Sequence, residues 1–265
     1  MKAFHLPENR AFIRYLEIPG DDPPLLWVHG WQCSSSGELL PVAVQPALRG
    51  RRSLVIDLLG HGYSDKPHGF AYTTEEHART IIALIDGLGI PECGLVGHSM
   101  GGGIAIHVAA ARPSVVSLLV MAEGNIDADG EAPFDGQSEA EFVERGFGEL
   151  LAGQSQDAEA SPTGLRAAHV EMTRIIEPRA LFREAVSMAS DTDPSIRSLL
   201  GGLSMSRWYL NGALSEPDGL EADLAAMGVG WKVVPDAGHP MGLQNPAGVA
   251  DCVAEAIDVA WPGRA

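Results

Sequence analysis

A serine flanked by glycines two residues away on either side stands in Gly97-His98-Ser99-Met100-Gly101. An apolar run precedes it, and a run of small residues follows: Gly102, Gly103, Ala105, Ala109 and Ala110. Strand, sharp turn and small-residue helix in that order project a serine hydroxyl above a sheet edge, and the glycines let strand and helix pack closely. The start of a helix also favours developing negative charge. The plainer alternative is a glycine-rich turn with an incidental serine; the strand–turn–helix context argues for a nucleophile. A serine hydroxyl needs a base to attack at neutral pH. His239, in Pro235-Asp-Ala-Gly-His-Pro240, lies between the last apolar run and the last helical pattern. A loop placed there reaches the same sheet edge as Ser99. His29, His61, His98 and His107 are weaker candidates. The first two fall in turns, where a structural hydrogen bond is the plain role, and His107 falls among apolar residues of a helix.

These groups work only if a rigid scaffold holds them. Short apolar runs at Leu25–Val28, Leu54–Ile56, Gly94–Val96, Val115–Met121, Trp208–Leu210 and Trp231–Val234 read as strands. Their continuous apolarity predicts burial on both faces, hence a parallel sheet. Helical patterns separate them. Residues 74–88 carry Ile81, Ile82, Leu84, Ile85 and Leu88, with Thr73 and Glu76 at capping-box spacing. A second helix follows Met100, and a last one spans roughly residues 246–260. Alternating strands and helices predict a doubly wound α/β sheet. Ala11–Ile18 alternates in part and reads as an antiparallel edge strand. From about Asp127 to Ser204 no strand pattern appears. A structureless loop of that length is improbable in a compact domain, so the stretch reads as a helical insertion.

Composition narrows the function classes. The 265 residues are 45% hydrophobic and 20% charged, as in globular proteins, which excludes a disordered or coiled-coil chain. Asp and Glu number 35 against 18 Lys and Arg, a net charge of −17. Such a surface repels phosphate backbones and anionic lipid, so neither nucleic acid nor membrane is an expected partner. No apolar run reaches the ~20 residues of a membrane span, and the N-terminal stretch lacks a signal-peptide core; a cytoplasmic location is expected. Cys33, Cys93 and Cys252 form neither a disulfide framework nor a metal knuckle. No nucleotide-binding or metal motif is present, so no cofactor is expected. Asp57 reads as a structural hydrogen-bonding residue, and Cys33 as a packed thiol beside a chemically interesting loop.

The chain resembles the α/β-hydrolase superfamily over nearly its whole length. The resemblance rests on Val28-His29-Gly30-Trp31, Asp57-Leu-Leu-Gly-His-Gly-Tyr-Ser64, the 97–101 elbow and Ala237-Gly238-His239, in that order. It implies an α/β-hydrolase fold with a core of residues 1–125 and 205–265 and a helical cap over residues 126–204. It implies Ser99 as nucleophile, His239 as base, and the Trp31 and Met100 N–H groups as oxyanion donors. Family members most often place the acid after the seventh strand, as Gly-x-x-Asp. Here Gly212-Ala-Leu-Ser215 puts serine there, with Glu216 and Asp218 adjacent. A subset places it after the sixth strand, where Glu123 ends an apolar run without a packing reason. Glu123 is the favoured acid, with Glu216 and Asp218 as alternatives; each keeps the order Ser, acid, His. Dehalogenases and epoxide hydrolases of the family carry a carboxylate nucleophile, which Ser99 is not. The implied activity is hydrolysis of a carboxylic ester or related small acyl substrate through an acyl-enzyme. C–C bond hydrolysis, thioester or lactone opening and lyase chemistry use the same residues, and a non-catalytic ligand-binding protein is the reading from another class. Phe134, Phe142 and Phe182 would pack a cap onto the core whatever the substrate, so they do not identify it.

Overall fold

The structure, a computed structural model, describes residues 1–128, 130–134, 136–160, 164–216 and 219–263. Eight strands form a single sheet: β1 (Lys2–Leu6), β2 (Ala11–Ile18), β3 (Asp21–Val28), β4 (Arg51–Asp57), β5 (Cys93–His98), β6 (Val116–Ala122), β7 (Ser206–Gly212) and β8 (Gly230–Val234). Their order is β1-β2-β4-β3-β5-β6-β7-β8. β1, β2 and β4 pair antiparallel, and β4 through β8 are parallel. The expectation that Ala11–Ile18 forms an edge strand is corrected. β2 is paired on both sides, and β1 is the edge. β1 escaped the sequence reading because only Leu6 of its five residues is fully buried.

Alternation along the strands sorts the core into two layers. Leu26, Val28, Leu54, Ile56, Leu119 and Met121 face α3 (Thr74–Gly87) and α4 (Met100–Ala111). Leu25, Trp27, Val55, Val96, Leu118 and Val120 face the opposite way, onto α12 (Pro246–Ala260). Both layers exclude water, which is why the strands read as continuous apolar runs. α3 starts where expected: the Thr73 hydroxyl accepts the Glu76 N–H at 3.3 Å. Short helices α1 (Ser35–Glu38) and α2 (Leu40–Ala43) join β3 to β4.

Between β6 and β7 no strand occurs among the described residues. The path holds α5 (Glu139–Glu141), a π-helical turn at Phe142–Gly146, α6 (Phe147–Glu159), α7 (Gly164–Arg174), α8 (Pro178–Met188) and α9 (Ile196–Gly202). α10 (Leu220–Ala226) and α11 (Met241–Gln244) complete the helices. Phe134 stacks on Phe182 with centroids 4.7 Å apart and meets Trp31 edge-on at 6.4 Å, so an aromatic cluster seats this segment on the loop after β3.

A second tie is polar and fully buried. Glu184 Oε1 on α8 lies 2.7 Å from His61 Nε2 and 2.9 Å from His77 Nε2. His61 Nδ1 faces the Cys33 carbonyl at 2.9 Å, so that nitrogen holds the ring's proton. Burial pushes the Glu184 carboxyl up to about 7, against the opposing pull of His77, and pushes His61 down to about 4. A protonated Glu184 can donate to His61 Nε2 while accepting from His77. The folded state thus binds a proton that an unfolded chain releases near the ordinary carboxylate value. The Glu184 contribution to stability is therefore full below about 4.5 and is lost as pH rises to about 7, with a slope of up to ~1.4 kcal/mol per pH unit. The neutral histidines act in the opposite sense in wild type and variant alike. Thermal melts of Glu184→Gln against wild type are expected to lose this slope; parallel curves across pH 4.5–7 would count against it.

Candidate active site

Ser99 is the residue between β5 and α4, with φ 52° and ψ −122°. This is a sparsely populated conformation for a side-chain-bearing residue and costs about 1–3 kcal/mol, held by the surrounding packing. The glycines explain how the turn closes. A Cβ on Gly97 would lie 2.3 Å from the Gly101 carbonyl oxygen, and one on Gly101 would lie 2.2 Å from that of Val28. The Ser99 N–H donates to Ala122 O at 3.0 Å, which fixes the elbow to the end of β6. The site falls where the sheet order reverses direction, since the chain runs from β3 to β4 on one side and to β5 on the other.

His239 follows β8, and its ring bridges two groups. Nε2 lies 3.0 Å from Ser99 Oγ, and Nδ1 lies 2.8 Å from Glu123 Oε2. Glu123 is the first residue past β6 and has a positive φ of 42°. Its Oε1 accepts the Gly212 N–H at 2.8 Å. Burial alone would raise the Glu123 carboxyl, but hydrogen bonds from His239, Gly212 and Ser215 and the His239 charge hold it below its ordinary range. An ionised carboxylate on Nδ1 leaves Nε2 to take the serine proton. Glu216 lines the neighbouring cavity, whereas Glu123 holds the ring; Asp218 lies outside the described residues. Ser215, at the Gly-x-x-Asp position, hydrogen-bonds the Glu123 carboxylate.

Met100 opens α4, and helix-opening N–H groups have no partner within the helix. Trp31 follows Gly30 in the loop after β3, and its indole N–H donates to Leu181 O of α8 at 3.0 Å. Gln32 has a positive φ of 60°, and its side-chain oxygen accepts from Gln154 on α6 at 2.6 Å and from His169 on α7 at 3.1 Å. The loop bearing Trp31 is thus held by three helices of the 126–204 segment. His239 is half exposed and borders two cavities. One, of about 600 Å³, is lined by Ser99, Asn125, Arg197, Tyr209 and Ser215. The other, of about 480 Å³, is lined by Leu165, His169, Val170, Pro240 and Leu243.

The remaining candidates take structural places. His29 Nε2 accepts the Leu58 N–H at 3.1 Å, and Nδ1 donates to Gly30 O at 2.8 Å. Burial pushes this ring down to about 4, so it is neutral. Asp57 accepts the Ser36 and Tyr63 N–H groups at 2.9 and 3.0 Å. His107 is half-buried in α4, and burial lowers it. Cys33 is buried, which pushes its thiol up and disfavours the thiolate. The sequence reading missed Asn125, whose Oδ1 lies 3.4 Å from Ser99 Oγ, and Glu38, a carboxylate buried beneath the elbow. Among the described residues no group of His, Cys, Asp and Glu is placed to hold a metal ion, and no helix is long and apolar enough to cross a membrane.

A family model described as alpha/beta hydrolase fold matches residues 23–173, more than half of the chain. Haloalkane dehalogenase 2 of Mycobacterium tuberculosis (strain ATCC 25618 / H37Rv) is 36% identical over 114 residues, 43% of this chain and 38% of that protein. The match thus spans about two fifths of the relative's length. Among solved structures, a thermophilic esterase from Thermogutta terrifontis superposes with a TM-score of 0.80 at 24% identity, covering 94% of both chains. The enol-lactonase from Burkholderia xenovorans LB400 superposes with a TM-score of 0.81 at 16% identity, covering 97% of this chain and 99% of that one. Likeness at such identities is one of fold. Together with the eight-stranded sheet, the family match identifies the chain as a member of the α/β-hydrolase superfamily.

Proposed function

We propose that the protein is a serine hydrolase that cleaves a carboxylic ester or related small acyl substrate through an acyl-enzyme on Ser99. The observation that carries this reading is the relay Ser99–His239–Glu123, with contacts of 3.0 and 2.8 Å in the order the chemistry needs. As Ser99 Oγ bonds to the substrate carbonyl carbon, its proton passes to His239 Nε2. The carbonyl oxygen becomes an oxyanion facing the Trp31 and Met100 N–H groups. Collapse breaks the bond to the leaving alkoxide, which takes the proton from His239. Water, deprotonated by the same ring, then attacks the acyl carbon and frees Ser99 with release of the acid. Glu123 stays ionised and stabilises the imidazolium in both steps.

Residues 126–204 serve as the cap in this reading, supported by the grip of α6, α7 and α8 on the Trp31–Gln32 loop. Dehalogenase chemistry, named for one relative, needs a carboxylate where this chain has Ser99. The esterase and lactonase names of the solved neighbours accord with acyl transfer to serine. A fluorophosphonate probe tests the reading: Ser99 is expected to be labelled and Ser99→Ala to stay unlabelled. Failure of wild type to react would favour a non-catalytic binding protein.

A further inference from the structure

Beneath the elbow lies a second carboxylate–imidazole pair that the relay does not use. Glu38 at the end of α1 and His98 beside Ser99 are 1% and 4% exposed. Glu38 Oε1 lies 2.8 Å from His98 Nδ1, off the ring N–H axis, so the contact is that of an ion pair. His98 Nε2 lies 2.8 Å from the backbone carbonyl oxygen of His239. The two histidine rings are 4.9 Å apart. Glu38 Oε2 also accepts the Gly30 N–H at 3.4 Å, on the loop that carries Trp31.

Both His98 nitrogens therefore face oxygens. A carbonyl oxygen only accepts, so Nε2 carries a proton. A neutral ring would then hold an unprotonated Nδ1 2.8 Å from Glu38 Oε1, two electron-rich atoms in contact, which is repulsive when that group is a carboxylate. The arrangement closes only if the pair holds one further proton, on His98 or on Glu38. We propose that Glu38 and His98 form a buried carboxylate–imidazolium pair that positions the general base, fixing the His239 backbone by a charge-assisted hydrogen bond and keeping a positive charge beside its ring. This rests on the reading of Ser99 and His239 as nucleophile and base. The charged form has support: burial works against it in both groups, yet their mutual attraction draws Glu38 down to about 2 and raises His98. The other ionisable groups facing the pair are His29 and Cys33 beside Glu38, and Glu123 and His169 beside His98. Glu38 and His98 act through His239, and are positioning residues.

The test has two arms on the full chain. Imidazole nitrogen NMR of wild type, assigned with His98→Gln, is expected to show His98 protonated on both nitrogens at pH 8. Glu38→Gln should return it to one proton, and Glu38→Asp should retain two. In the second arm, hydrolysis of a p-nitrophenyl ester by His98→Gln should fall about 10-fold in kcat, with KM within about 2-fold. Glu38→Gln should show the same split, a lowered kcat with KM little changed. A singly protonated His98 in wild type, or an unchanged kcat in folded His98→Gln, would overturn the proposal. Absence of any Ser99-dependent hydrolysis would instead sink the hydrolase reading, and the NMR arm would still decide the charge state of the pair.

Discussion

Ser99→Ala is expected to lower kcat for ester hydrolysis by ~10⁴–10⁶ and leave the melting temperature within about 2 °C of wild type. In the proposed mechanism the hydroxyl is the group that bonds the substrate carbonyl, and alanine brings nothing in its place. Its removal costs little in packing, because Ser99 is only partly buried and its Oγ meets His239 and Asn125. In the proposed mechanism the backbone N–H groups at Met100 and Trp31 remain, so a residual rate above that of water is expected. Steady-state kinetics paired with thermal melts make the check. Retention of more than a tenth of wild-type turnover in a folded protein would remove Ser99 from the chemistry.

Glu123→Gln is expected to lower kcat by ~10²–10⁴ with little change in KM. The amide can still accept the Gly212 N–H, so the fold at the end of β6 survives. It brings no charge to stabilise the imidazolium, and its NH₂ can turn the ring to the wrong tautomer. Glu216→Gln, at a residue that lines the cavity but does not hold the ring, should change kcat less than about 2-fold. Equal losses in the two variants would contradict the assignment of Glu123. Stability carries a separate signature with its own sign. The folded Glu123 carboxyl is held below its ordinary value, so its contribution is present above that value and is lost as pH falls through the lowered one.

What the sequence made legible follows from how local each signal is. β3 to β6 could be read because both faces of each are covered, leaving near-unbroken apolar runs. The elbow could be read because crowding leaves no room for side chains at Gly97 and Gly101. Glu123 drew notice because a charged residue closes an apolar strand. β1 could not be read: its register with β2 is set by pairing, and its side chains are largely exposed. The Glu38–His98 pair was hidden for a different reason. Glu38 stands in a short helix far along the chain from the elbow, and only the sheet order brings β3 and β5 side by side to bury it. Glu184 likewise lies on an amphipathic helix, where a glutamate reads as solvent-facing until His61 and His77 are seen to enclose it.

The central claim is a covalent acyl intermediate on Ser99 formed by the Glu123–His239 relay. Its most direct test is rapid acid quench of the enzyme during turnover of an activated ester, followed by peptide mass mapping. The expected result is one acyl group on the peptide containing Ser99, formed in wild type, absent in Ser99→Ala and slowed in Glu123→Gln. Turnover with no acyl adduct, or an adduct on any other residue, would contradict it.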